Sequence, residues 1–201
     1  DRHFLVAGFR RDQLHRPWRT ESGGHGLSLL PIDERLRYLV PFRPPEEIGG
    51  YLESLASAGH PLAVLADDGE KFGGWPGTAD WVWTQGWMDR FLDEVERLTE
   101  RGVVRLSTGR DAVEAVEAGG LAYLPSASYR EMEGWSLPPD GARRLHRLEA
   151  RTADDPQAAA LVRGGHWRNF VARYPESNRM HKKATALSAL CRERGDPDDA
   201  R

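Results

Sequence analysis

The stretch Leu62–Gly77, LAVLADDGEKFGGWPG, constrains the fold more than any other part of the sequence. A short apolar run ends abruptly in Asp67, Asp68, Glu70 and Lys71, followed by Phe72, Gly73, Gly74 and Trp75. An apolar run of about five residues bounded by turn residues reads as a buried strand. Carboxylates and a tryptophan crowded just past its C-terminal end are what the mouth of an α/β barrel presents. The rest of the chain is placed relative to that point.

On the N-terminal side, His3–Gly8 reads as a strand and is followed by a polar loop through Trp18, Glu21, Gly23, Gly24 and Gly26. Leu27–Ile32 is a second apolar run, and Arg35–Phe42 a mixed apolar and basic stretch closed by prolines. Pro44-Pro45-Glu46-Glu47 opens a helix, with proline and acids in its first turn and Ile48, Tyr51, Leu52 and Leu55 as its apolar stripe. Gly59 ends it. Beyond the central loop, Phe91, Leu92, Val95 and Leu98 recur at helical spacing over Trp87–Arg101. Val103–Leu106 reads as a short strand, Thr108 or Asp111 as the cap of a small helix stopped by Gly119-Gly120, and Leu121–Leu124 as one more extended segment.

This alternation predicts parallel βα units, whose right-handed connections gather the loops after each strand on one face. From Trp135 the pattern turns helical. Pro138-Pro139-Asp140 opens one helix, and two further helical stretches run from Gln157 to about Arg194. The expected class is therefore α/β: residues 1–134 as barrel or doubly wound sheet, 135–195 as a helical segment, and 196–201 as a polar tail.

Bulk properties narrow the function classes. A net charge of −3 with mixed signs gives no electrostatic reason for nucleic acid. Cys191 is the one cysteine, so neither a disulfide framework nor a cysteine-based zinc site is expected. No apolar run approaches the about 18 residues of a membrane span, and no secretory signal is visible. The default expectation is a cytoplasmic protein with a neutral partner; the oligomeric state is left open. Among seven tryptophans, Trp81, Trp83 and Trp87 read as core or lid residues. Trp75 is different, because it sits in a Gly/Pro loop among carboxylates, where a large ring gains most from a ligand stacked on it.

Asp67 and Asp68 are adjacent, so on a regular strand they point to opposite faces and only one aims at a site on the barrel axis. The sequence alone does not choose between them. A carboxyl at the rim of a half-buried pocket can hold a proton near neutral pH and act as a general acid. Trp75 offers an apolar face to a sugar ring, which is polar at its edge and apolar on its face. A merely solvated acidic turn is the bland alternative. An EF-hand spacing is absent. A metal-dependent deacetylase barrel is a more serious rival, but the seven histidines form no i, i+3 or i, i+4 pair.

The string Asp67-Asp68-Gly69-Glu70-Lys71-Phe72-Gly73, followed by Trp75-Pro76-Gly77-Thr78, resembles a signature of glycoside hydrolase family 57, in its 4-α-glucanotransferases and α-amylases. PIDERLRYLVPF (31–42), AYLPSASYREMEGWSLP (122–138), RGGHWRNF (163–170) and YPESNRMHKK (174–183) resemble the same family in the same order. The resemblance implies a (β/α)7 barrel whose C-terminal part lies in this chain, followed by a helical segment. It implies cleavage of α-1,4-glucan bonds with retention, which needs a nucleophile and an acid/base carboxyl about 5–5.5 Å apart. By the motif, Asp68 corresponds to the acid/base, Trp75 to a sugar-stacking wall, and Asp67 and Glu70 to supporting polar residues of the substrate-binding site. The implied partner is an α-1,4-glucan or maltooligosaccharide, with no metal or organic cofactor.

There are departures from the family pattern. Its nucleophile glutamate and a histidine motif are expected before Asp1, and a late aromatic/histidine motif after Arg201. Glu21 and Glu34 do not sit in the nucleophile's context. After MHKK, Ala184-Thr185-Ala186 replaces bulky apolar residues, which bears on the packing of the last helix. The expectation is an inactive middle portion of a longer enzyme. A non-catalytic glucan-binding remnant and the deacetylase-like barrel are the alternatives.

Overall fold

The computed structural model describes residues 1–195, so the expected polar tail at 196–201 lies outside the described residues. The chain clusters into two compact units, Asp1 with His3–Leu124 and Arg2 with Pro125–Arg201.

The first unit opens with a short helix, α1 (Arg2–Val6), where a strand is expected over His3–Gly8. A short apolar run has no period of its own to separate the two, and here Phe4 and Leu5 both donate backbone N–H groups to the Asp1 carbonyl. The expected polar loop after it is instead an antiparallel hairpin of β1 (Trp18–Ser22) and β2 (His25–Leu29), with Ser22 opposite His25. Gly23 and Gly24 turn it with φ of +59° and +83°, the two positive angles that a tight two-residue hairpin loop requires. Asp33 caps α2 (Glu34–Leu39). Pro45 starts α3 (Pro45–Ser57). It packs on the amphipathic α4 (Trp87–Glu100) so closely that a Cβ on Gly49 would come within 1.7 Å of the Glu94 carboxylate. A larger residue there would have to displace the Glu94 side chain.

Leu36, Val40, Ile48, Tyr51, Val82 and Trp87 form the core between these helices. Full burial of side chains such as Ile48 and Trp87 is worth about 1.5–3 kcal/mol each. A second cluster joins Phe4, Leu14, Trp18 and Ala122. Thr108 accepts the Asp111 N–H to start α5 (Gly109–Ala115). That helix ends before Gly119-Gly120, and Gly119 is needed for another reason: a Cβ there would strike the Trp18 ring at 2.7 Å.

The expected strands at Leu62–Ala66 and Val103–Leu106 carry no ladder among the described residues, and Leu121–Leu124 makes a single parallel bridge, Leu121 to Arg19. The parallel βα sheet is therefore not formed by these segments among themselves. Leu62–Ala66 is tied to the rest through the Val64 carbonyl, which accepts the Asp33 N–H at 2.9 Å.

The second unit is helical: α6 (Arg130–Trp135), α7 (Pro139–Arg151), α8 (Pro156–Leu161), α9 (Arg168–Arg173) and α10 (Pro175–Arg194). Three helices thus follow Asp155, where two are expected. Pro139 and Pro156 occupy first-turn positions, where a missing N–H costs nothing. Gly164 and Gly165 lie against Glu133, Ser136 and Leu137, and a Cβ on Gly164 would meet the Glu133 carbonyl at 2.7 Å. α10 buries none of its residues and exposes Met180, Leu187 and Leu190. No helix among the described residues is long and apolar enough to cross a membrane.

Candidate active site

The site is assembled from two stretches of the first unit: α2 with the residues that follow it, and the turn over Gly69–Phe72. α2 is fixed at its start, because the Asp33 carboxylate accepts the Leu36 N–H at 2.9 Å and the Tyr51 hydroxyl at 2.7 Å. Burial, with that hydrogen bond to Asp33 added, pushes the Tyr51 hydroxyl far above the ordinary tyrosine range. The His15 ring lies against His60, with centroids 4.4 Å apart and planes tilted by 38°, and places Nδ1 3.2 Å from the Leu62 carbonyl. Burial, and then the neighbouring His60, hold its imidazole below the usual histidine range. A neutral ring is therefore favoured there.

The two adjacent acids part company at the end of the apolar run. The Asp67 side chain is 4% exposed and that of Asp68 49%. Asp67 receives the Lys71 ammonium at 2.8 Å and its own neighbour's N–H, from Asp68, at 2.8 Å. Lys71 is itself buried and donates to the Arg37 carbonyl at 2.9 Å. The Arg37 guanidinium then spans both acids, with Nε 3.3 Å from Asp67 Oδ1 and Nη2 2.8 Å from Asp68 Oδ2. Asp67 is thereby the buried anchor and Asp68 the acid that meets solvent.

The same lysine organises the aromatic side of the site. Its Nζ lies 5.2 Å from the Phe42 ring and 5.8 Å from the rings of Tyr38 and Trp75. An ammonium beneath ring faces at such distances is attracted by their quadrupoles. Phe42 and Trp75 stack at 5.9 Å and 22°, and all three rings remain partly exposed. Trp75 is carried there by the turn, where its N–H and that of Gly74 both donate to the Glu70 carbonyl. The Glu70 residue is exposed on the outside of the turn. Gly73 follows at φ +139°, with the Trp83 indole where a Cβ would point.

Three indole N–H groups pin the loops that carry these rings. Trp81 donates to the Pro41 carbonyl at 2.6 Å, Trp87 to Arg43 at 2.7 Å and Trp83 to Phe72 at 2.6 Å. Trp87 is fully buried, whereas Trp83 is exposed. One cavity of about 600 Å³ shares Tyr38 with this group, and Asp68 and Trp75 stand outside it on the open surface. No group of three or more His, Cys, Asp or Glu side chains among the described residues is placed to hold a metal ion.

Arg37, Tyr38 and Phe42 are the members that the sequence reading does not single out. They lie in PIDERLRYLVPF, a motif used for the resemblance but assigned no role, and only the folded contacts join it to the acidic turn.

Comparison with known proteins gives the class. Residues 2–125 match glycosyl hydrolase family 57, and residues 165–201 match the α-amylase/4-α-glucanotransferase middle domain. The chain belongs to glycosyl hydrolase family 57. It is similar to an α-amylase of Pyrococcus furiosus, 43% identical over 197 residues, and to a 4-α-glucanotransferase of Thermococcus litoralis, 42% identical over 197 residues. The crystal structure of the Thermococcus litoralis 4-α-glucanotransferase matches with a TM-score of 0.78 at 43% identity, covering 96% of this chain and 30% of that one. The chain spans 30% of the length of the α-amylase as well.

Proposed function

We propose that this chain supplies the acid/base carboxyl and the sugar-stacking wall of a retaining enzyme acting on α-1,4-glucans, as hydrolase or 4-α-glucanotransferase. The observation that carries the reading is the split between the two acids. Asp67 is locked inside an ion-pair network with Lys71 and Arg37, while Asp68 is presented to solvent on the turn that also carries Trp75. That arrangement suits a general acid that must reach a substrate oxygen, beside rings on which a glucosyl face can lie. Asp67 and Glu70 are then supporting residues of the substrate site, Asp67 by anchoring Lys71 and Glu70 as a further exposed carboxylate on the turn that carries Trp75.

In this reading residues 1–134 form the C-terminal part of a (β/α)7 barrel, followed in the chain by a helical segment over 135–195. The exposed Leu65, Leu106, Leu121 and Tyr123 support it, because segments with such side chains and few backbone partners gain by pairing with strands of a longer chain. The nucleophile glutamate belongs to that longer chain, no metal or organic cofactor takes part, and the 201-residue chain alone does not turn over glucan.

The test is the anomeric form of the first product. A full-length family 57 enzyme carrying this segment, given maltoheptaose, yields the α-anomer by polarimetry or proton NMR, and the isolated chain yields nothing. Initial release of the β-anomer would overturn double displacement. Product from the isolated chain would overturn the shared-site reading. In the same assay Trp75→Ala raises KM for maltoheptaose by about tenfold, the weight of one good stacking contact of about 1–1.5 kcal/mol. An unchanged KM and kcat would remove Trp75 from the sugar site.

A further inference from the structure

We infer that Arg37 is a positioning residue for the acid/base step, orienting the Asp68 carboxyl and stabilising the carboxylate left when its proton departs. The inference rests on the role given to Asp68 above. Arg37 is well placed for this. Its side chain is 14% exposed, and it sits on a helix whose first turn is capped by Asp33. Its carbonyl is held by the buried Lys71, so the backbone beneath the guanidinium is fixed from the other side. The fork reaches Asp67 with one nitrogen and Asp68 with another.

With Asp68 Oδ2 accepting from Arg37 Nη2 at 2.8 Å, Oδ1 is the oxygen left to carry the transferable proton. An acid held by its carbonyl oxygen keeps its O–H in one direction, which is the alignment proton transfer demands. In the first half-reaction that proton passes from Oδ1 to the glycosidic oxygen. The bond from the anomeric carbon to that oxygen breaks, its electron pair going to the departing sugar, while the nucleophile carboxylate bonds to the carbon. Asp68 is then an anion, and the guanidinium faces the new charge in a charge-assisted hydrogen bond. In the second half-reaction Asp68 takes a proton from water or an acceptor hydroxyl, whose oxygen displaces the enzyme carboxylate. Arg37→Lys leaves a single charged nitrogen, which cannot keep both the hydrogen bond to Asp68 and the ion-pair contact with Asp67 that the planar guanidinium makes.

The test uses a full-length family 57 enzyme carrying this segment, with Arg37→Ala, Arg37→Lys and Asp68→Asn assayed on maltoheptaose. Arg37→Ala lowers kcat by about 10²-fold, as expected for a misplaced reacting group, with KM within about twofold. Added guanidinium restores part of that kcat, and does not restore Asp68→Asn. Arg37→Lys falls between Arg37→Ala and the parent. Wild-type kcat in Arg37→Ala, with Asp68→Asn inactive, overturns the inference and leaves the role of Asp68 intact. A loss that guanidinium leaves untouched, accompanied by a lowered melting temperature, assigns Arg37 a purely structural part and also overturns it. Normal turnover by Asp68→Asn defeats the reading of Asp68 itself.

Discussion

Asp68→Asn in a full-length enzyme carrying this segment lowers turnover of maltoheptaose by about 10²–10⁴-fold, the usual weight of a positioned general acid. The substitution keeps the side-chain volume, and the amide oxygen can still accept from Arg37, so the fold is little affected. What it removes is the proton for the departing sugar oxygen. An aryl α-glucoside whose phenolate leaves without protonation isolates that loss, because its first step no longer needs an acid. With that substrate the glycosylation rate of Asp68→Asn stays within about tenfold of the parent, and only the second step, which needs the base, is slow. A small anion such as azide then speeds turnover by attacking the glycosyl-enzyme without general-base help. Burst kinetics on the two substrates measure this directly. An equal loss on both, or near-parental turnover of maltoheptaose, would remove Asp68 from the acid/base role.

How far the sequence anticipates this arrangement depends on the range of each interaction. Helices set by local chemistry are legible: Pro45 with Glu46 and Glu47 in the first turn gives α3, the spacing of Phe91, Val95 and Leu98 gives α4, and Pro139 gives α7. The hairpin at Ser22–His25 is read from the sequence only as a polar loop, although Gly23-Gly24 between two short runs is a local signal for it. At His3–Gly8 a run of a few apolar residues is compatible with either period, and helix α1 forms. Parallel strands are harder, because their hydrogen bonds lie entirely with other segments, and Leu62–Ala66 forms no ladder among the described residues.

The same distinction divides the candidate site. The residue types crowded at Asp67–Trp75 are visible in the string itself. Which acid turns outward is not, since the choice is made by Lys71 and by Arg37, the latter 31 positions from Asp68. Tyr38 and Phe42 likewise join Trp75 through contacts distant in sequence, among them the hydrogen bond from Lys71 to the Arg37 carbonyl 34 positions away and the Phe42–Trp75 stack. Exposed aromatic rings on a proline-bounded stretch carry no mark of the acid they will stand beside.

Lys71→Met is expected to destabilise the protein by about 3 kcal/mol, at the low end of what is lost when a buried pair loses one partner. The Lys71 side chain is 2% exposed and that of Asp67 4%, so the substitution strands a carboxylate away from water. The loss stays at the low end because Asp67 keeps the Asp68 N–H at 2.8 Å and Arg37 Nε at 3.3 Å. Replacing both partners by apolar residues, Asp67→Leu with Lys71→Met, recovers most of the stability, since two desolvated charges then disappear together. Activity does not recover with it. The Arg37 carbonyl has lost its donor, the three rings have lost the cation between them, and Asp68 is no longer set by its neighbour's anchored side chain. Urea unfolding of the parent, the two single variants and the pair, followed by tryptophan fluorescence, closes the double-mutant cycle. A Lys71→Met protein within about 1 kcal/mol of the parent would mean that the Lys71 ion pair is not what fixes the turn, and that the remaining contacts to Asp68 N–H and Arg37 Nε are enough to hold the Asp67 carboxylate.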